Sequence, residues 1–191
     1  KDDKGGMVTQ LMSVTVNDAN TRSVYINFGA NEPAQAPWNN ILGYGNINTT
    51  LNNLRDETNS VTPFGVTLLD GWDNVTEARQ RTGNNTGVFP DSVIAGGYLD
   101  FGQTPMRIRF TGLNPAMRYN IALVASQNEG LTSLVQYEAA GALDTLEARN
   151  NSNSTANLNN LAPDASGGIT VTMTKLAGEK MFLSGAQLEE F

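Results

Sequence analysis

The chain has 191 residues, no Cys, no His, a formal net charge of −7 and a sequence pI near 4.5. Without Cys or His it has no disulfides, no thiolate chemistry, no Ser-His or Cys-His nucleophile and none of the commonest metal ligand. Its 12 Lys and Arg are scattered without a basic run, which excludes a nucleic-acid interface built on clustered cations, and an acidic, Asn- and Thr-rich surface suits neutral polar ligands.

Residues 1–22 read as an N-terminal tether with an edge strand or linker. Lys1 to Gly6 is charged and glycine-rich, and such a stretch buries nothing. Met7 to Val16 is apolar and ends in the polar turn Asn17-Asp18-Ala19-Asn20. No apolar run is long enough to cross a bilayer, and the start at Lys1 reads as that of a mature or trimmed chain. Residues 23–191 are long enough for one domain with a substantial core.

Within that domain, Val24, Ile26 and Phe28 alternate with Tyr25 and Asn27 up to Gly29, the period of a strand. Ala30 to Thr62, rich in Asn, Gly and Pro, reads as a long irregular excursion of the kind that carries function or flexibility. Phe64 to Leu69 returns to a strand, and Val75 to Thr82 offers one or two helical turns before Gly83 stops them. Val88 to Leu99 reads as a strand broken by a bend or bulge at Gly96-Gly97.

The centre of the pattern is Arg107 to Ala125. Ile108 and Phe110 alternate with Arg107, Arg109 and Thr111, and Tyr119, Ile121 and Leu123 alternate with Asn120, Ala122 and Val124. Between these two half-buried strands Gly112 and Pro115 impose a corner. Leu134–Ala139, Leu143–Leu146, Ile169–Thr174 and Met181–Leu188 supply further strands, Arg149–Asn160 is low in apolar residues, and no window repeats with the period of a long amphipathic helix. About ten short strands spaced by turns predict an all-β sandwich or barrel.

VYINFG at 24–29, TGLNPAMRYNIALVA at 111–125, SLVQYEAAG at 133–141, PDASGGITVTMT at 163–174 and MFLSGAQLEE at 181–190 occur in an order that resembles the galactose-binding-like jelly-roll β-sandwiches, in particular their malectin-like and carbohydrate-binding-module branch. A narrower likeness is to jelly-roll segments of secreted Bacteroidetes proteins, carried by the INFG strand, Pro37-Trp38-Asn39-Asn40 and Gly87 to Asp91. Lys1-Asp2-Asp3 resembles the signal that follows the lipidated Cys of surface lipoproteins in that phylum, although no lipobox Cys precedes it here. Asp91-Ser92-Val93 and Asp144-Thr145-Leu146 resemble the phylum's O-glycosylation signal, which implies glycosylation at Ser92 and Thr145. The resemblance implies a glycoprotein on the extracellular face of the outer membrane, attached through a lipid anchor, or a secreted one.

Trp72 lies in a Gly-Trp-Asp-Asn loop near Asp70, Asp73, Asn74 and Arg79. An aromatic face beside carboxylate, amide and guanidinium groups is what sugar recognition uses, the ring covering C–H groups while the polar groups take hydroxyls. The alternative is a Trp72 that plugs the end of the sandwich. Trp38 has the same chemistry, but its place beside Pro37 favours an aromatic that pins the long loop. Tyr25, Tyr119 and Tyr137 fall in strands as core or sheet-face residues, whereas Tyr44 and Tyr98 lie in glycine-rich loops. Asp70, Asp73, Glu77, Asp91 and Asp100 are available for glycoside hydrolysis, which needs only two carboxyl groups, yet such loops are ordinary in an acidic protein and no activity is expected. A structural Ca²⁺ is compatible with Asp164, Glu189 or Glu190.

The expectation is a non-catalytic module binding a glycan, with Trp72 as platform, Asp73, Asn74 and Arg79 as hydrogen-bonding partners and Trp38 as a further contact. The alternative is a structural accessory subunit of an outer-membrane protein complex that docks through Met7–Val16.

Overall fold

The computed structural model describes residues 21–29, 33–76 and 86–191. The tether, the 7–16 segment, Glu77 and Arg79 lie outside these residues. In chain order the elements are β1 (Arg22–Gly29), β2 (Asn39–Leu42), β3 (Thr50–Leu51), β4 (Gly65–Leu68), β5 (Asn74–Thr76), the helical turn α1 (Asp91–Ile94), β6 (Gly97–Asp100), β7 (Met106–Thr111), β8 (Tyr119–Val124), β9 (Ser133–Ala139), β10 (Ala142–Glu147), β11 (Ala156–Leu161), β12 (Ile169–Gly178), β13 (Met181–Leu183) and β14 (Gly185–Glu190).

The chain is all-β. A five-stranded sheet in the order β11-β8-β14-β1-β2 and a six-stranded sheet in the order β10-β9-β12-β7-β4-β3 form a sandwich, accompanied by a three-stranded sheet β13-β6-β5. The pairings are antiparallel except for the parallel pair β1–β2. The architecture is compatible with a jelly roll. Alternation decides the core: Val24, Ile26, Phe28, Ile121, Leu123 and Leu188 from one sheet share a cluster with Val66, Ile108, Phe110, Val135, Val171 and Met173 from the other. The intervening residues of each strand therefore form the outer faces.

The strands flanking the corner do not pair with each other. β7 belongs to the six-stranded sheet and β8 to the five-stranded one, so Gly112 to Arg118 carries the chain from one layer to the other. Gly112 has φ +73, and a Cβ there would run into the Pro63 carbonyl, so the turn requires glycine. Tyr119, fully buried, accepts a hydrogen bond from Asn114 N–H at 2.9 Å and donates to Glu190 Oε2 at 2.6 Å. Its ring fills the core while its hydroxyl ties the corner to the last strand, the geometry of a tyrosine corner. Burial, reinforced by the Glu190 contact, pushes the Tyr119 phenol up.

Several local expectations need correction. Val93 and Ile94 belong to α1 rather than to a broken strand, because Pro90 supplies the extended N-cap position and both apolar side chains turn inward. Val75 and Thr76, at the start of the expected helical turns, belong instead to β5, paired with β6, and residues 77–82 lie outside the described residues. Arg149–Asn160, low in apolar residues, ends in β11, an edge strand that needs few of them. The last run divides at Ser184, with β13 in the three-stranded sheet and β14 in the five-stranded sheet. Tyr98 lies in β6 and is fully buried, its hydroxyl donating to the Ile41 carbonyl at 2.9 Å.

Candidate functional site

Trp72 is not available as an exposed platform. Its side chain is 6% exposed and stacks on Tyr98 with ring centroids 5.6 Å apart. The loop holding Gly45 lies directly over both rings: Trp72 N–H donates to the Gly45 carbonyl at 3.0 Å, and a Cβ at Gly45 would meet the Trp72 ring at 3.0 Å and the Tyr98 ring at 3.1 Å. This packing gives Trp72 a core role, and its indole N–H has no acceptor among the described residues.

The polar groups beside Trp72 are engaged with their surroundings. Asp70 takes both nitrogens of the Arg107 fork, each at 2.9 Å, and that hydrogen-bonded guanidinium holds its carboxyl below the usual range. Asp73 Oδ2 accepts from Phe101 N–H at 2.9 Å, and Asn74 Oδ1 from Val75 N–H at 2.8 Å. Asp100 is 5% exposed, and burial together with the neighbouring Asp73 carboxylate pushes its carboxyl up. A raised carboxyl beside a second one is a familiar acid–base arrangement, but Asp100 is enclosed and Gly102 packs on it, so it offers no open face to a substrate.

The Ca²⁺ expectation fares poorly at the three carboxylates considered for it. Asp164 Oδ1 accepts from the N–H groups of Ser166 and Gly168 and the Ser166 hydroxyl, while Oδ2 takes Arg109 Nη2 at 2.6 Å. The Ser166 hydroxyl and the Arg109 guanidinium hold this carboxyl far down; a guanidinium at that oxygen opposes a cation. Glu190 serves Tyr119, and Glu189 Oε2 accepts from Asn120 Nδ2 at 2.9 Å. Among the described residues no group of three or more Asp or Glu converges on a metal position.

The outer face of the five-stranded sheet presents a different constellation. Asn120 and Ala122 of β8, Gln187 and Glu189 of β14, and Asn157 and Asn159 of β11 line a groove of about 150 Å³. Strand register makes these neighbours: Gln187 stands opposite Ala122, Glu189 opposite Asn120, and Asn157 opposite Ala122. On the adjoining strand Tyr25 stands opposite Gln187 and Ser23 opposite Glu189, so the groove is bordered by a half-buried tyrosine.

Trp38 completes that border. Its indole packs between Tyr25, with centroids 5.3 Å apart, and Phe89, 5.8 Å away. The next two residues explain why it stays there. Asn39 Nδ2 donates to the Tyr25 and Arg55 carbonyls at 3.0 and 2.8 Å, and its Oδ1 accepts from Arg55 N–H at 2.8 Å. Asn40 Oδ1 accepts from Ala34 N–H at 2.8 Å and from Asn27 Nδ2 at 2.9 Å. The Pro37-Trp38-Asn39-Asn40 motif is thus a pair of amide clamps that fix an aromatic on the sheet face.

The face is divided by its covering. At the Gly185 end, Phe89, Val93 and Ile94 pack with Val124 and Ala34 into a small second core, and a Cβ on Gly185 would come within 2.7 Å of Val93. The other end remains open. There Asn157 and Asn159 are exposed, the Asn159 amide makes no hydrogen bond to a described residue, and Gln187 Nε2 makes only a long one, 3.3 Å, to Ser23 Oγ. Planar amides with unused donors and acceptors, one of them next to the Tyr25 ring, can hold a flat polyhydroxylated ligand.

Ser92 on α1 and Thr145 on β10 are both exposed. Asp144 Oδ1 accepts from Thr145 N–H at 2.7 Å and Oδ2 from Asn157 N–H at 2.7 Å, tying the edges of the two main sheets together. Comparisons with protein-family models, with characterised proteins and with solved structures found no match.

Proposed function

We propose that this chain is a non-catalytic module of the galactose-binding-like jelly-roll type that binds neutral carbohydrate on the open half of its five-stranded sheet. The supporting observation is the groove itself, where Asn159, Gln187 and Glu189 offer acceptors and donors, with Tyr25 on the strand next to Gln187 and Trp38 packed on Tyr25. Tyr25 takes the stacking role that Trp72 cannot fill from the core, with Trp38 packed behind it, and the amides take hydroxyls. At about 150 Å³ the groove is shallow and open, unlike the enclosed pocket of a small metabolite.

In this reading the module works outside the cell, on a lipid anchor at the outer membrane or as a secreted protein, with glycans at Ser92 and Thr145. Neither hydroxyl residue is among those lining the groove, and both are exposed. The accessory-subunit alternative depends on residues 7–16, which lie outside the described residues, and on the outer edge of β2. Retention on a glycan array by the wild-type chain, lost in Tyr25→Ala, tests the proposal; no retention of any glycan, or equal retention by the variant, would refute it.

A further inference from the structure

The geometry points to a charge filter within that groove: it accepts neutral and amino-bearing sugars and disfavours acidic ones, with Glu189 as the specificity-determining residue. This inference rests on the carbohydrate reading above and adds the class of sugar.

Glu189 is the one formally charged side chain among those lining the groove, and none of its neighbours there is Lys or Arg. Its Oε2 is satisfied by Asn120 Nδ2, while Oε1 takes no hydrogen bond from a described residue. A carboxylate oxygen left in this state accepts a hydroxyl or an ammonium group but cannot donate to a carboxylate or sulfate. The field around it has the same sign: the Tyr25 phenol is pushed up by burial and, further, by the carboxylates of Glu57 and Glu189. None of the neighbouring cations pairs with Glu189: Arg22 sits 3.8 Å from Asp56, Arg55 donates to the Asn59 carbonyl at 2.8 Å, and Arg118, two residues before Asn120, donates to the Met117 carbonyl at 3.3 Å. An anionic sugar would therefore meet an uncompensated carboxylate, whereas an amino sugar would gain a partner.

The test uses the full chain and sugars that differ at one group: glucose, glucosamine and glucuronic acid, with galactose, galactosamine and galacturonic acid in parallel. Titration at low ionic strength should rank amino sugar above neutral sugar above uronic acid, with about a fourfold step for one unit charge at roughly 5 Å in water, and added salt should narrow the steps. Glu189→Gln keeps an acceptor for Asn120 and should level the ranking. Gln187→Ala should weaken all three classes of sugar together. Equal binding of neutral and acidic sugars by the wild type, or an unchanged ranking in Glu189→Gln, would overturn the filter while leaving carbohydrate binding in place. Failure of every sugar to bind would overturn both.

Discussion

Trp38 and Tyr25 stand with ring centroids 5.3 Å apart on the outer face of the five-stranded sheet, and Asn39 links them a second time by donating to the Tyr25 carbonyl at 3.0 Å. The aromatic border of the groove is therefore fixed both by ring packing and by a buried amide. Asn39→Ala removes four hydrogen bonds to backbone groups, the one to the Pro37 carbonyl long at 3.5 Å, and should cost about 1–3 kcal/mol. Chemical denaturation should show that loss, and glycan affinity should fall as Trp38 loosens.

Trp72→Ala should behave differently from what an exposed sugar platform requires. The side chain is 6% exposed and packed on Tyr98 under Gly45, so its truncation should cost about 3–5 kcal/mol. The melting temperature should drop sharply, while the surviving folded fraction keeps its glycan affinity. A variant of unchanged stability that no longer binds glycan would return Trp72 to the site.

The corner provides a test of the fold. Tyr119→Phe leaves the Asn114 N–H and the Glu190 carboxylate without the hydroxyl that joins them, and should lose about 1–3 kcal/mol by denaturant titration. Gly112→Ala should cost at least as much, since both its positive φ and the Pro63 carbonyl oppose a side chain.

Two carboxyls give opposite pH dependences. Asp100 has its folded pKa raised by burial and by Asp73, so the native state binds this proton more tightly than the unfolded chain does. Its effect on stability is unfavourable above the folded pKa and is relieved as pH falls towards the unfolded value of about 3.9. Asp100→Asn should therefore melt higher than wild type near neutral pH, with the difference closing in mild acid. Asp164 has its folded pKa lowered by Ser166 and Arg109. Its contribution is present above about 3.9 and is lost as pH falls through the folded value. Asp164→Asn should accordingly melt lower than wild type at neutral pH and approach it in strong acid.

The strands were legible where alternation was strict, as in Val24, Ile26 and Phe28, because period two reports burial directly. Trp72 was half legible: of its two readings the burial matches the one that plugs the sandwich, but Gly-Trp-Asp-Asn has the composition of an exposed loop and the segment that buries it, around Gly45, is remote in the chain. The groove was hidden for a related reason. Alternation marks Asn120, Gln187 and Asn157 as outward-facing, but nothing local says that β8, β14 and β11 are neighbours. A signal was present for the corner, since Leu113-x-Pro115 followed by Tyr119 is the spacing that lets a tyrosine reach back to its own turn. The division at Ser184 had no comparable marker, because Met181 to Leu188 reads as one apolar run.

The most direct test of glycan binding on this face is nuclear magnetic resonance of the ¹⁵N-labelled chain, titrated with a neutral oligosaccharide retained on the array. Saturable shifts should concentrate on the side-chain amides of Asn120, Asn159 and Gln187 and on the Tyr25 and Trp38 rings, with the Trp72 indole unmoved. Shifts centred on Trp72, Asp73 and Asn74, or saturable binding that leaves the sheet-face amides untouched, would contradict it.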